Sequence, residues 1–119
     1  MTRLFVYGTL KRRCKSHHLL SRHQFLGEAK TRPGYRLHRL NGYPGLVPHP
    51  DAPEGVCGEV WLIDDHGIRE LDAFEGVEEG LYRREPVSLQ PPHADSPVQA
   101  YVYARTVEGC PVLGSTWVD

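Results

Sequence analysis

The first pattern along the chain is a run of four β-prone apolar residues, Leu4, Phe5, Val6 and Tyr7, stopped by Gly8. It predicts a strand that ends in a tight turn. Ser16 can cap a short helix over residues 17–23, with Leu19 and Leu20 toward the core. Strands are expected over residues 24–29 and 35–40, with a turn at Pro33 and Gly34 between them. Asn41-Gly42 and Tyr43-Pro44-Gly45 read as turns, Leu46-Val47 as a short apolar step, and residues 49–53 as a loop. Between residues 55 and 63 the chain alternates. Val56, Gly58, Val60 and Leu62 fall on one side, and Cys57, Glu59, Trp61 and Ile63 on the other. Apolar side chains on both sides predict a central strand. Asp64 or Asp65 can cap a helix running to about Phe74, and Gly76 ends it. Two more strands are expected over residues 81–89 and 98–105, and Pro86 marks an edge or a bulge in the first. The tail from Gly109 has no regular pattern. With no repeat and no linker, residues 1–119 read as one α+β domain with a predominantly antiparallel, curled sheet.

Composition agrees and narrows the class. At 119 residues, 39% hydrophobic and 24% charged, the chain suits one globular core. Ten prolines and twelve glycines favour short strands over long helices. The net charge is −1, with the N-terminal half basic and the C-terminal half acidic, and the two halves are expected to neutralise each other. Lys11, Arg12, Arg13 and Lys15 form the densest basic run. No aromatic residue interleaves with them, so a solvated loop is favoured and no nucleic-acid partner is expected. Cys14, Cys57 and Cys110 form no C-x-x-C pair and are odd in number, which points to a reducing, cytoplasmic setting. Cys57 reads as a buried inert thiol, and Cys14, among cations, as a candidate for a lowered pKa. No stretch approaches the roughly 18 apolar residues of a membrane span, and no apolar signal segment follows Met1. No apolar stripe demands a partner, so a monomer is the default.

One carboxylate stands out. Ile68, Leu71 and Glu75 share a helix face, so Glu75 is expected to point toward the interior at the helix end. An unpaired buried carboxylate costs several kcal/mol. On spacing alone, a structural ion pair with Arg83 or Arg84 is favoured over a chemical role. The other reading is an acid with a raised pKa, suited to general base and then general acid work. Asp72, three residues earlier, is expected to face solvent or cap a neighbour. The turn Tyr7, Gly8, Thr9, Leu10 is a second feature: a Gly-containing turn after a strand can present several backbone N–H groups to an anion. Alone, it is explained as well by an ordinary strand end. His17, His18 and His23 lack zinc spacing, and no metal is expected. Trp61 and Trp117 read as packing residues.

The order of these segments carries a resemblance. Phe5-Val6-Tyr7-Gly8-Thr9-Leu10-Lys11, then Gly58-Glu59-Val60-Trp61, then Leu71-Asp72-Ala73-Phe74-Glu75-Gly76-Val77, then Leu81-Tyr82-Arg83-Arg84 resembles the γ-glutamylcyclotransferase-like superfamily. The likeness runs from Phe5 to about Arg105. It looks closest to the short bacterial members and to the γ-glutamylamine cyclotransferases, which also carry threonine at the position of Thr9. The resemblance implies a small, mixed, mostly antiparallel β-barrel flanked by short helices, with a pocket at the end of the first strand. It implies cyclisation of a γ-glutamyl group to 5-oxoproline with release of an amine or amino acid, without metal or cofactor. Glu75 matches the catalytic glutamate and would act as base and then acid. Gly8, Thr9 and Leu10, with Tyr7, would hold the substrate, and Tyr82 would orient Glu75 or the substrate by its hydroxyl. Glutathione, γ-glutamyl dipeptides, γ-glutamyl polyamines and γ-glutamyl-ε-lysine all remain open as substrates. So do a non-catalytic binding module on the same fold and removal of a γ-glutamyl protecting group during biosynthesis.

Overall fold

A computed structural model describes residues 1–119. Seven strands form one mixed sheet: β1 (Thr2–Val6), β2 (Gln24–Lys30), β3 (Tyr35–Arg39), β4 (Pro44–Pro48), β5 (Cys57–Ile63), β6 (Tyr82–Pro86) and β7 (Gln99–Tyr103). One helix, α1 (Asp65–Phe74), lies between β5 and β6. The spatial order is β2-β5-β1-β7-β4-β3, with β6 paired to β7 off this path. The β1–β7 and β4–β7 pairs are parallel and the other four antiparallel. The sheet curls without closing: β2 and β3 remain its ends, and a single bridge, Thr31 to Leu89, ties the end of β2 to the segment after β6.

The alternation along β1 explains the curl. Leu4 and Val6 enter a core with Trp61, Ile63 and the helical residues Ile68 and Leu71. Phe5 and Tyr7 enter a second core with Val60, Leu37 and Leu46, which brings β1 and β5 against β3 and β4. A strand buried on both faces must lie in the middle of the fold. β5, paired to β2 on one edge and β1 on the other, is central for the same reason.

β7 carries the feature that matters for the site. β6 pairs with it from Tyr103 to Gln99 along one edge. The other edge is shared. β1 takes Gln99 and Ala100, and β4 takes Val102. The sheet therefore splits where β1 ends, and Tyr7 sits in the split. Its hydroxyl donates to the Tyr101 carbonyl at 2.6 Å and accepts the Leu46 N–H at 3.2 Å. One side chain thus joins β7 to β4 where no ladder bond can.

Local expectations held unevenly. α1 starts as expected: the Asp64 carboxylate accepts the Gly67 N–H at 2.7 Å, and Gly76 takes a left-handed φ of 66° just past the last turn. The helix expected over residues 17–23 shortens to a 3₁₀ turn, His17–Leu20, and Ser16 makes no side-chain cap. β4 replaces what read as turn and apolar step. Its Gly45 packs so closely on Leu40 and Tyr103 that a Cβ would come within 3.0 Å of both, a contact that no local pattern reveals. The strand expected over residues 81–89 stops at Pro86, on an edge strand, where a missing N–H costs no ladder bond. The tail is irregular, as expected, yet packed: Leu113 donates to Leu37, Cys57 donates to Ser115, and Trp117 is buried beneath the Arg39 guanidinium.

Candidate active site

At the split in the sheet lies a hollow of about 260 Å³. Its floor is the end of β1 and the turn after it, and its walls are the start of β4, the end of α1, β6 and β7. Tyr7, Gly8, Thr9, Leu10, Glu75 and Tyr82, the residues singled out in the sequence, all line it. The sequence did not assign Lys15, Ser16, Phe74, Leu81 or Tyr101 to the site, and it placed Tyr43 only in a turn. The turn residues around Tyr43 gave a weak signal. Tyr101 gave none, because its place depends on how β7 is shared.

Glu75 is the only carboxylate lining the hollow. It is the C-cap of α1, held by its N–H to the Leu71 carbonyl at 2.8 Å. The favoured structural reading fails here. Arg84 binds Asp72 through Nε at 2.9 Å and Nη2 at 3.1 Å, Arg83 binds Glu85 at 2.9 Å, and Glu75 has no ion pair. Asp72 therefore neither faces open water nor caps a neighbour. It accepts two guanidinium bonds and the Tyr101 hydroxyl at 2.7 Å. Burial alone pushes the Glu75 carboxyl up to about 7, because its charged form has exchanged water for aromatic rings.

The turn is built to bring backbone close. A Cβ on Gly8 would lie 2.6 Å from Pro44 Cγ, so only glycine lets the turn pass the start of β4. Lys11 donates to the Gly8 carbonyl at 3.1 Å and Ser16 to the Thr9 carbonyl at 2.9 Å. The N–H groups of Gly8, Thr9 and Leu10 donate to no acceptor in the protein. They are three consecutive donors beside the hollow.

The basic run is a loop with Arg12, Arg13 and Lys15 exposed, as expected, yet several of its groups are tied down. Arg12 gives its N–H and its Nε to the two oxygens of buried Glu59, at 3.1 and 3.0 Å, and Trp61 Nε1 joins at 3.1 Å. The Arg12 guanidinium also covers the Phe25 ring at 3.9 Å. Lys11 Nζ donates to the Trp117 carbonyl at 2.6 Å and Lys15 Nζ to the Gly42 carbonyl at 2.9 Å. These bonds anchor the loop that follows the turn. Cys14 is not activated. Burial raises its thiol pKa and the Asp119 charge raises it further, outweighing Lys11.

The tyrosines are committed as well. Tyr82 donates to the Pro44 carbonyl at 2.7 Å, so its proton does not reach Glu75, and only its lone pairs face a ligand. Burial first, and then the neighbouring charges, raise the Tyr7, Tyr82 and Tyr101 hydroxyls and keep them neutral. The hollow is thus a mostly apolar chamber, rich in aromatic rings, with one carboxyl poised near neutrality and three free amides. No helix of the protein is long and apolar enough to cross a membrane.

The chain is similar to known proteins in both sequence and fold. The family described as "Gamma-glutamyl cyclotransferase, AIG2-like" matches residues 4–119. The Escherichia coli protein named gamma-glutamylcyclotransferase family protein YtfP is 36% identical over 118 residues, covering 98% of this chain and 96% of that one. The solution structure of ytfP from Escherichia coli superposes with a TM-score of 0.72 at 35% identity, covering 98% and 95%. The crystal structure of a mouse AIG2-like protein superposes with a TM-score of 0.77 at 28% identity, covering 97% and 87%.

Proposed function

The chain belongs to the AIG2-like γ-glutamyl cyclotransferase family, as an enzyme of that class, and we propose that it cyclises a small γ-glutamyl amide to 5-oxoproline with Glu75 carrying the proton. The supporting observation is Glu75 itself, an unpaired carboxyl in an aromatic hollow, with a pKa of about 7.

The steps follow from the residues present. The Glu75 carboxylate takes a proton from the substrate α-ammonium. The freed amine attacks its own γ-carbonyl carbon, forming the ring C–N bond and placing charge on the carbonyl oxygen. The N–H groups of Gly8, Thr9 and Leu10 receive that oxygen or the substrate carboxylate, the two anions such a turn can hold. Glu75 gives its proton to the leaving nitrogen, and the exocyclic C–N bond breaks as the carbonyl re-forms. The ring nitrogen's second proton passes to Glu75 and leaves on the released amine as its ammonium. The attack is intramolecular, so holding the γ-glutamyl arm folded supplies much of the rate. A cytoplasmic setting fits the three free cysteines.

The test is 5-oxoproline release from a panel of γ-glutamyl dipeptides, polyamines and ε-lysine amides, with wild type and Glu75→Gln side by side. Release by wild type alone is expected, with kcat/KM rising with pH through an acidic limb near 7 as Glu75 ionises. A folded Glu75→Gln protein turning over at the wild-type rate overturns the assignment. Binding without release from any member favours a non-catalytic module.

A further inference from the structure

Asp72 and Arg84 do not line the hollow, yet their bonds reach the elements that form its walls. Asp72 sits three residues before Glu75 at the end of α1, so their Cβ atoms are about 5–6 Å apart. Its carbonyl accepts the Val77 N–H at 3.0 Å, which closes the chain around Glu75. Its carboxylate holds Arg84 of β6 by two bonds and Tyr101 of β7 by one. Arg84 reaches on to the Gln99 side chain at 2.6 Å, and the Tyr101 carbonyl accepts the Tyr7 hydroxyl. One chain of bonds therefore ties the last turn of α1 to β6, β7 and the floor of the hollow.

We propose that Asp72 and Arg84 are positioning residues: their paired charges lock the end of α1 against β6 and β7 and keep Glu75 from meeting a second net negative charge. The titratable groups that line the hollow with Glu75 are Tyr7 just after β1, Lys15 from the following loop, Tyr43 before β4, Tyr82 from β6 and Tyr101 from β7. The tyrosines are neutral and the charged Lys15 ammonium is held at the Gly42 carbonyl, while along the helix the nearest ionised couple is Asp72–Arg84. Burial opposes ionisation of Asp72, but the bonds from Arg84 and Tyr101 outweigh it and hold the carboxyl below its ordinary range. The pair is thus charged at neutral pH and adds no net charge beside Glu75, whose carboxyl is raised by burial alone.

The two halves of the lock then have opposite effects when removed. Arg84→Met leaves a bare carboxylate beside Glu75 and raises its titration midpoint. Asp72→Asn leaves a bare guanidinium and lowers it. Each shift is expected to be about half a pH unit or more, the effect of a unit charge about 6 Å away at nearly aqueous dielectric. The double variant returns toward wild type. A role limited to packing would not move the midpoint in opposite directions.

The proposal rests on Glu75 being the proton carrier, so the experiment reads Glu75 directly. The carboxyl carbon of Glu75 is titrated by NMR in wild type, Asp72→Asn, Arg84→Met and the double variant, and the acidic limb of kcat/KM is measured beside it. Opposite midpoint shifts, tracked by the limb, support the lock. Opposite shifts in proteins that release no 5-oxoproline keep the lock and discard the cyclisation reading. Shifts in the same direction, or none in folded variants, overturn the lock. Should Arg84→Met not fold, Asp72→Asn is compared with Arg84→Lys, which keeps the charge. Only Asp72→Asn is then expected to move the midpoint, and an equal shift in both overturns the proposal.

Discussion

The residue that makes the site also works against the fold. Glu75 has a folded pKa of about 7, above the ordinary carboxyl value, so the native protein holds this proton more tightly than the unfolded chain. Between the two values the native state binds more protons than the unfolded state, and stability falls as pH rises. Glu75→Gln is therefore expected to stabilise the fold at pH 8 by roughly 1–3 kcal/mol. The gain should vanish below about pH 4, where the wild-type carboxyl is protonated in both states. Urea midpoints at the two pH values check this. Activity and stability would move in opposite directions at one side chain. The tyrosines make a contrasting pair. Tyr7→Phe removes both an acceptor for the Leu46 N–H and a donor to the Tyr101 carbonyl, at buried positions. Tyr82→Phe orphans only the Pro44 carbonyl. Tyr7→Phe is expected to cost about 1–3 kcal/mol for each group left unpaired, and so more than Tyr82→Phe. Guanidinium unfolding of the two variants should show that order, and the reverse would argue against Tyr7 as the link across the split.

At the scale of elements, the turn after β1 depends on what β4 allows. Pro44 is buried and its ring is rigid, so it cannot yield to a Cβ at 2.6 Å. Gly8→Ala is expected to push the turn away from β4 and misplace the Gly8, Thr9 and Leu10 amides. A loss of at least about tenfold in kcat/KM should follow, since losing one hydrogen-bond donor to a transition-state anion already costs that much. Circular dichroism should still report a folded sheet, because the clash lies past the end of the strand. A Gly8→Ala enzyme with unchanged kinetics would remove the turn from the mechanism. α1 contributes in a different way. Its apolar stripe, Ile68 and Leu71, was readable from spacing, and that stripe fixes which way Glu75 points.

Across the whole molecule, the tail and the basic loop stabilise each other. Trp117 is buried, its carbonyl holds Lys11, and Asp119 accepts the Lys15 N–H and the Trp117 indole. The segment that looked least ordered in the sequence thus anchors the loop behind the turn. Trp117→Ala is expected to destabilise the protein by about 3 kcal/mol and to speed hydrogen exchange at the Lys15 amide. Unchanged exchange at Lys15 would separate the tail from the loop.

The sequence by itself determined the strand and turn at Leu4 to Gly8, the central place of β5, the start and stop of α1, and the placing of Glu75 on the inward face of that helix. These are local properties, set by periodicity, capping residues and a glycine free to take positive φ. With the family resemblance it also named the turn residues that line the hollow. Only the tertiary structure decided the rest. Whether Glu75 had an arginine partner depended on Asp72 taking Arg84 first, a competition between side chains from two elements. β4 was hidden because its prolines and glycine are poor strand formers, held there by the ladder with β3 and, at Gly45, by close packing on Tyr103 and Leu40. The hollow itself exists because β7 has one edge divided between two strands, and no single segment of sequence carries that information.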